Sequence, residues 1–234
     1  MIRSSLLLLL SACIALADAN PTFVITNARY VSTLTKTDLE GKLKKGSTSF
    51  PVKLYMRGKD IQLRYLKQKE NTWAGIHLQL NQSSCELFDV VGSKMTPFPS
   101  SKIGQQIQGT DITYEDISLR FLYWPTPSLL YEESVKTQTC YVIRVFNPDQ
   151  RGNYKYVDLW IHKKSYALMK VKAYNRENKH IKTLEAADLM NVDGDIMMKK
   201  MKVQTIENGR TKSISYLIFE NPEGVAKSRP RKLR

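Results

Sequence analysis

The chain has 234 residues and a basic composition, with 36 Lys and Arg against 22 Asp and Glu and a formal net charge of +14. This length suits one β-rich domain, which commonly runs to about 200–250 residues. Such a charge predicts an anionic partner, either a phospholipid surface or an acidic envelope protein. The alternation of lysines with apolar residues, as in Lys199–Lys202, favours the simpler interpretation of a solvated sheet face.

The amino terminus has the pattern of a secretory signal, with a positive start, an apolar run over Leu6–Leu16 and small residues at Ala17 and Ala19. We therefore predict a signal peptide over residues 1–19 and export to the periplasm, which argues against nucleic acid as a partner. An alternative is a lipoprotein processing box that ends at Cys13, through which the protein would be lipid-anchored. The apolar run continues beyond Cys13, and this favours cleavage after Ala17 or Ala19. No later segment has the roughly 20 apolar residues that a membrane-spanning helix needs.

Residues 21–36 are compatible with a helix or a strand. The chain then has five segments rich in Leu, Val, Ile and aromatic residues, separated by turn-forming residues, and these predict strands. They are Asp38–Lys44, Phe50–Met56, Ile61–Leu66, Gly75–Leu80 and Glu86–Val91.

The stretch from Gly92 to about Lys136 is broken by four prolines and predicts loops and short helices that cover one face of a sheet. One helical turn is expected at Thr113–Asp116 and a second at Leu129–Glu133. The adjacent carboxylates Glu115 and Asp116 are interpreted as a helix start, because acidic residues suit a first turn.

The second half has six strand-like segments at regular spacing, with Asp-Gly and Asn-Gly hairpin signals among the connections. The segments are Thr139–Phe146, Tyr154–His162, Tyr166–Tyr174, His180–Asn191, Ile196–Thr205 and Thr211–Phe219. We therefore predict a mainly β (α+β) domain over residues 20–223, built on an antiparallel sheet. Residues 224–234 carry five basic residues and no core-forming pattern, and they predict a disordered tail. With so few covering helices, a curved sheet of this kind is expected to leave an apolar cavity.

Signals for catalysis are missing from the pattern. The chain has no Gly-rich phosphate loop and no Gly-x-Ser-x-Gly motif. His77, His162 and His180 lie on different predicted strands without metal-ligand spacing. We therefore expect a binding protein rather than an enzyme, with no cofactor and no metal. Cys85 and Cys140 remain after signal cleavage, and they form either a disulfide or two buried free thiols.

Several stretches resemble the LolA-like family of outer-membrane lipoprotein-sorting proteins, and together they span most of residues 28–220. They are Asp38–Leu43, Gly109–Asp116, Thr139–Ile143, Lys155–Ile161 and Lys170-Val171. The resemblance implies a strongly curved antiparallel sheet, an open half-barrel covered by short helices and loops. It also implies that the concave face holds the acyl chains of lipids or lipidated proteins.

Strand alternation predicts which side chains face that concavity. On one strand we choose Tyr141, Ile143 and Val145. On the next strand we choose Val157, Leu159 and Ile161, because their alternates include Asp158 and His162. The predicted function is that of a periplasmic carrier or chaperone for lipoprotein acyl chains or lipid on the way to the outer membrane. The alternative is an envelope sensor or partner-binding module on the same fold.

Overall fold

The computed structural model describes residues 19–31, 36–192 and 195–220. The predicted basic tail and nearly all of the predicted signal peptide lie outside these residues, as does the Asp193-Gly194 hairpin turn. No helix within the described ranges is long and apolar enough to span a membrane.

Thirteen strands form one antiparallel sheet in the order β6-β5-β4-β3-β2-β1-β13-β12-β11-β10-β9-β8-β7. The strands are β1 Asp38–Lys45, β2 Thr48–Arg57, β3 Asp60–Lys67, β4 Thr72–Leu80, β5 Cys85–Val91, β6 Lys94–Pro97, β7 Ser128–Val135, β8 Gln138–Phe146, β9 Tyr156–His162, β10 Leu168–Tyr174, β11 His180–Val192, β12 Asp195–Glu207 and β13 Arg210–Phe219. The sheet is curved and unclosed, with β6 and β7 at its two edges. The predicted open half-barrel is thus confirmed.

Bulges and one glycine account for much of the curvature. Register shifts interrupt the pairing of β7, β10, β11 and β12, and each bulge bends its strand and increases the local twist. On β1, a Cβ atom at Gly41 would lie 2.1 Å from the backbone oxygen of Ile218 on β13. Only glycine therefore allows these two strands to approach so closely.

Among the residues that the structure describes, two helices and two short 3₁₀ turns lie outside the sheet. Helix α1 spans Pro21–Val31 and helix α2 spans Tyr114–Ser118, while the 3₁₀ turns span Ser100–Lys102 and Arg120–Tyr123. The asparagine side chain at position 20 caps α1 by accepting from the backbone N–H of Thr22 at 2.9 Å. Over Pro21–Val31 the alternatives left open for residues 21–36 are thus decided in favour of a helix.

The predicted helical turn at Leu129–Glu133 is wrong, because these residues belong to strand β7. Their backbone pairs with β8, and for example Leu129 lies opposite Ile143. A local pattern does not contain the partner strand, so this hydrogen-bonded alternative could not be weighed from the segment itself.

One large apolar core lies between the concave face of the sheet and the elements that cover it. A smaller cluster forms on the convex face, where Cys140, Val142, Trp160 and Met169 pack together. Adjacent residues on β8 therefore point to opposite faces, as strand geometry requires.

Candidate functional site

The structure places the six predicted ligand-contacting residues on the concave face of neighbouring strands β8 and β9. Ile143, Val145, Val157, Leu159 and Ile161 are completely buried, and Tyr141 is partly buried against the same core. They also pair across the two strands, with Ile143 opposite Leu159 and Val145 opposite Val157. These side chains share a face, as predicted, and their contact with a ligand remains a prediction.

Residues 98–127, which we call the cover segment, lie over this face. They contain α2 and both 3₁₀ turns, and the rest is irregular chain. The apolar side chains that the segment and α1 insert into the core are all at least 95% buried: Val24, Ile25, Ala28, Ile103, Ile107, Ile112, Tyr114, Phe121, Leu122 and Trp124. The concavity is therefore filled by the chain itself.

Two clefts open at the rim of the covered face. One of about 390 Å³ has Cys85, Phe98, Ile103 and Arg120 among its lining residues. The other, of about 310 Å³, lies at the β8–β9 connection and includes Phe146 and Tyr154. The other residues that line this smaller cleft are polar or charged. None of the six predicted ligand-contacting residues lines either cleft, so a ligand reaches them only if the cover segment moves.

A buried carboxylate joins the cover segment to β12 and β13. Asp111 is 1% exposed and accepts hydrogen bonds from the hydroxyls of Thr205 at 2.8 Å and Ser215 at 2.7 Å. The hydroxyl of Ser213 also donates to it, and the ammonium of Lys45 lies 3.5 Å away. Burial favours the neutral acid, but these donors outweigh it and hold the pKa of Asp111 below its usual value. Asp111 is thus an ionised anchor between cover and sheet.

A second buried ion pair joins the cover segment to β11. The Lys182 ammonium lies 2.7 Å from Oδ2 of Asp116 and donates to the backbone oxygen of Asp111 at 2.8 Å. Asp116 is fully buried and also accepts from the hydroxyl of Tyr154. A capping box with Thr113 holds the same carboxylate at the start of α2. The interpretation of Glu115-Asp116 as a helix start is confirmed, and Asp116 additionally fixes the cover.

Glu115, next to this pair, is fully buried with one oxygen unsatisfied. Its Oε2 accepts from the backbone N–H of Asn153 at 2.8 Å, while Oε1 has no hydrogen-bond partner. Burial raises the pKa of Glu115 to about 7, and the charge of Asp116 adds to the effect. Gly152 makes room for the carboxylate, because a Cβ there would lie 2.5 Å from it. The contact links the cover segment to the loop between β8 and β9.

The disulfide alternative for Cys85 and Cys140 is not supported by the structure, in which both are free thiols. Cys85 begins β5 and lines the larger cleft, whereas Cys140 packs on the convex face of β8. A bond between opposite faces of a sheet would require the backbone to move. Burial raises the pKa of Cys85 to about 12 and also raises that of Cys140, so both thiols are poor nucleophiles.

The three histidines make separate local contacts. His77 lies 3.2 Å from Asp60, His162 contacts the Ser165 hydroxyl, and His180 contacts backbone and side-chain oxygens on its own strand. Across residues 19–31, 36–192 and 195–220, no three His, Cys, Asp or Glu side chains are grouped so that they could hold a metal ion.

Sequence reasoning missed Asp111 and Lys182 as anchors of the cover. For Lys182 a signal was present, because alternation along β11 places it on the same face as Leu184 and Ala186. A lysine in an apolar row indicates a buried partner. Asp111 lies in an irregular stretch where no periodicity applies, and the hydroxyls of Thr205 and Ser215 that bind it are more than 90 residues away.

Comparisons with known proteins agree with this architecture. A family model described as uncharacterized protein-like matches residues 91–226, more than half of the chain. No curated protein sequence matches significantly.

Three solved structures share the fold over 87% of this chain. A domain from Vibrio parahaemolyticus, provisionally described as an outer membrane lipoprotein-sorting protein, has a TM-score of 0.65 at 16% identity over 93% of its length. A DUF1329 family protein from Desulfovibrio piger gives 0.64 at 17% identity over 92% of its length. A LolA superfamily protein from Nitrosomonas europaea gives 0.63 at 14% identity, also over 92%. At such identities the likeness establishes the fold.

Proposed function

Because the chain belongs to the uncharacterized protein-like family whose model matches residues 91–226, and because it has the LolA-like fold, we propose that it is a hydrophobic-ligand carrier of the periplasm. Its ligands are the acyl chains of a lipid or of a lipidated protein. It acts by binding rather than by catalysis, and it shields the acyl chains from water on the way to the outer membrane.

The observation that carries this proposal is the makeup of the concave face and its cover. Most of the face is apolar, with polar side chains such as Lys182, Thr205 and Ser215 where the cover is anchored, and its cover consists of an 11-residue helix and a segment of short turns. An acyl chain that replaced side chains such as Ile103 and Phe121 on that face would keep the sheet's apolar surface buried. The exchange therefore conserves most of the hydrophobic stabilisation of the sheet.

The binding energy available is large. Each methylene group removed from water contributes about 0.8 kcal/mol, so a saturated chain of about fourteen carbons supplies on the order of 10 kcal/mol before association costs. Opening costs free energy in two ways. Apolar side chains of the cover, such as Ile103 and Phe121, leave the core, and Asp111 and Asp116 lose their polar partners.

A matched pair of variants on β8 tests the proposal. Val142 and Val145 are both fully buried, but Val142 belongs to the convex cluster and Val145 to the concave core. Replacing either by threonine adds one hydroxyl at nearly constant volume. A hydroxyl set against an acyl chain without a partner costs about 1–3 kcal/mol. We therefore expect Val145→Thr to weaken binding of fluorescent palmitate at least about fivefold, while Val142→Thr binds like the parent.

The measurement is a fluorescence titration, made alongside urea melts of all three proteins. Both variants should lose similar stability, so that a difference in affinity reflects the face of the sheet and not general destabilisation. If both variants bind palmitate as the parent does, or if the parent binds none, the concave face does not hold an acyl chain.

A further inference from the structure

The convex face of the sheet carries six lysines on three alternate strands, and we call these six the lysine patch. They are Lys42 and Lys44 on β1, Lys200 and Lys202 on β12, and Lys170 and Lys172 on β10. Within each pair the residues are two apart, so both point to the same face.

Strand register joins the three pairs into one surface. Tyr216 on β13 lies between Lys44 and Lys202, and Glu185 on β11 lies between Lys202 and Lys170. Neighbouring strands are about 4.8 Å apart, so successive lysines in this row are about 10 Å apart. The patch is thus a two-dimensional array in the middle of the sheet.

Ion pairs neutralise little of the positive charge of this array, although the carboxylates of Glu133 and Glu185 act electrostatically on Lys170. Lys42 has only a long contact of 3.9 Å to the exposed Glu220, and the other five lysines form no ion pair with any described residue. The nearby carboxylates have other partners. Glu185 pairs with Lys136 at 3.5 Å, and Asp158 is bound by the Arg144 guanidinium at 2.7 Å.

Aromatic rings lie beneath three of the six lysines. The ammonium groups of Lys170 and Lys172 lie 4.5 and 5.3 Å from the centre of the Trp160 ring, and that of Lys200 lies 4.3 Å from the Tyr216 ring. Such contacts restrain the stems over the sheet and leave the charged ends at its outer surface.

We propose that the lysine patch docks the protein on an anionic phospholipid bilayer. The partner follows from the shape and charge of the face. A polypeptide that binds as an added strand or as a helix needs a free sheet edge or a groove, but neither rim cleft includes these lysines and the edge strands are β6 and β7. A broad lattice of positive charge without a groove matches a surface whose phosphates have no fixed register.

Docking through this face leaves the cover segment free, because that segment lies on the opposite side of the sheet. The inference goes beyond the proposed carrier role and does not depend on it, since an empty protein would bind the bilayer equally well. Each lysine near an anionic bilayer is worth about a fivefold change in partitioning. Losing two should therefore weaken partitioning about 25-fold.

Sedimentation with lipid vesicles tests the proposal. The full chain should bind vesicles that contain phosphatidylglycerol, and should bind neither phosphatidylcholine vesicles nor, in 0.5 M NaCl, the anionic ones. The test variant is Lys200→Gln/Lys202→Gln. The matched control is Lys69→Gln/Lys164→Gln, which removes the same charge at two exposed turn lysines outside the patch.

We expect about a 25-fold loss for the patch variant and less than about a threefold loss for the control, with unchanged thermal melts. Equal losses would show that only net charge matters and would overturn the assignment of the patch. So would equal binding to neutral vesicles, or binding to polyglutamate but not to anionic vesicles. The patch variant should bind palmitate with the same affinity as the parent. Failure of membrane docking can therefore be distinguished from failure of the carrier role.

Discussion

Replacing Lys182 by methionine tests how the cover segment is held. The substitution keeps most of the buried stem and removes the ammonium that contacts Asp116 and the backbone oxygen of Asp111. Breaking a buried ion pair by removing one partner costs about 3–5 kcal/mol, because the remaining charge is left uncompensated. Here Asp116 keeps hydrogen bonds from Tyr154 and Thr113. The expected loss is therefore at the lower end, about 3 kcal/mol.

The assay is urea unfolding of the parent, Lys182→Met and a control, Lys179→Met. Lys179 also forms an ion pair, with Glu177 at 2.7 Å, but both side chains are about 70% exposed. Exposed pairs of this kind contribute less than about 1 kcal/mol. Adding Asp116→Asn to Lys182→Met removes the stranded charge and should recover more than about 1 kcal/mol. Two results would show that the buried pair does not hold the cover. One is a loss of unfolding free energy in Lys182→Met as small as that in Lys179→Met, and the other is a loss in the double variant equal to the sum of the two single losses.

Two further predictions concern other buried groups. Because the pKa of Glu115 rises from 4.5 to about 7 on folding, the folded state binds the proton more tightly than the unfolded chain does, and stability should fall as pH rises from 4.5 through 7. The full effect of this group on the free energy of unfolding is about 3 kcal/mol. Urea melts of Glu115→Gln should lack that part of the pH dependence. Plots of unfolding free energy against pH that run parallel for parent and variant would contradict the assignment. Cys85 and Cys140 should remain unlinked in non-reducing peptide maps, and both should react slowly with iodoacetamide until urea unfolds the chain. A linked peptide, or rapid labelling of the folded protein, would refute the placement of the thiols.

Local sequence patterns predicted most of the sheet. All eleven predicted strand segments coincide with observed strands to within a few residues, from β1 to β5 and from β8 to β13. The residues chosen as inward-facing on β8 and β9 also share one face, because side chains alternate with a period of two and a buried row needs apolar residues. The capping box at Thr113 and Asp116 is also a local signal, and the predicted helical turn there formed.

Local patterns failed where the partner is distant in sequence. β7 was mistaken for a helical turn because β8, which provides its hydrogen bonds, is a separate segment. The sequence pattern also could not predict whether the concave face is filled. A proline-rich stretch does not indicate how many of its side chains enter a core. Ile103, Phe121 and Trp124 fill the space that composition alone left open.

By itself, then, the sequence determined eleven of the thirteen strands and the alternation of side chains along β8 and β9, because these properties depend on residues within a few positions of one another. Tertiary structure alone decided that the concave face is closed by the chain's own cover, and that Asp111 holds this cover through Ser215, 104 residues away. It also decided that six lysines on three non-consecutive segments form one surface, because β1 and β12 are joined through β13. Such contacts arise when the curved sheet brings distant segments together, and the chain order does not contain them.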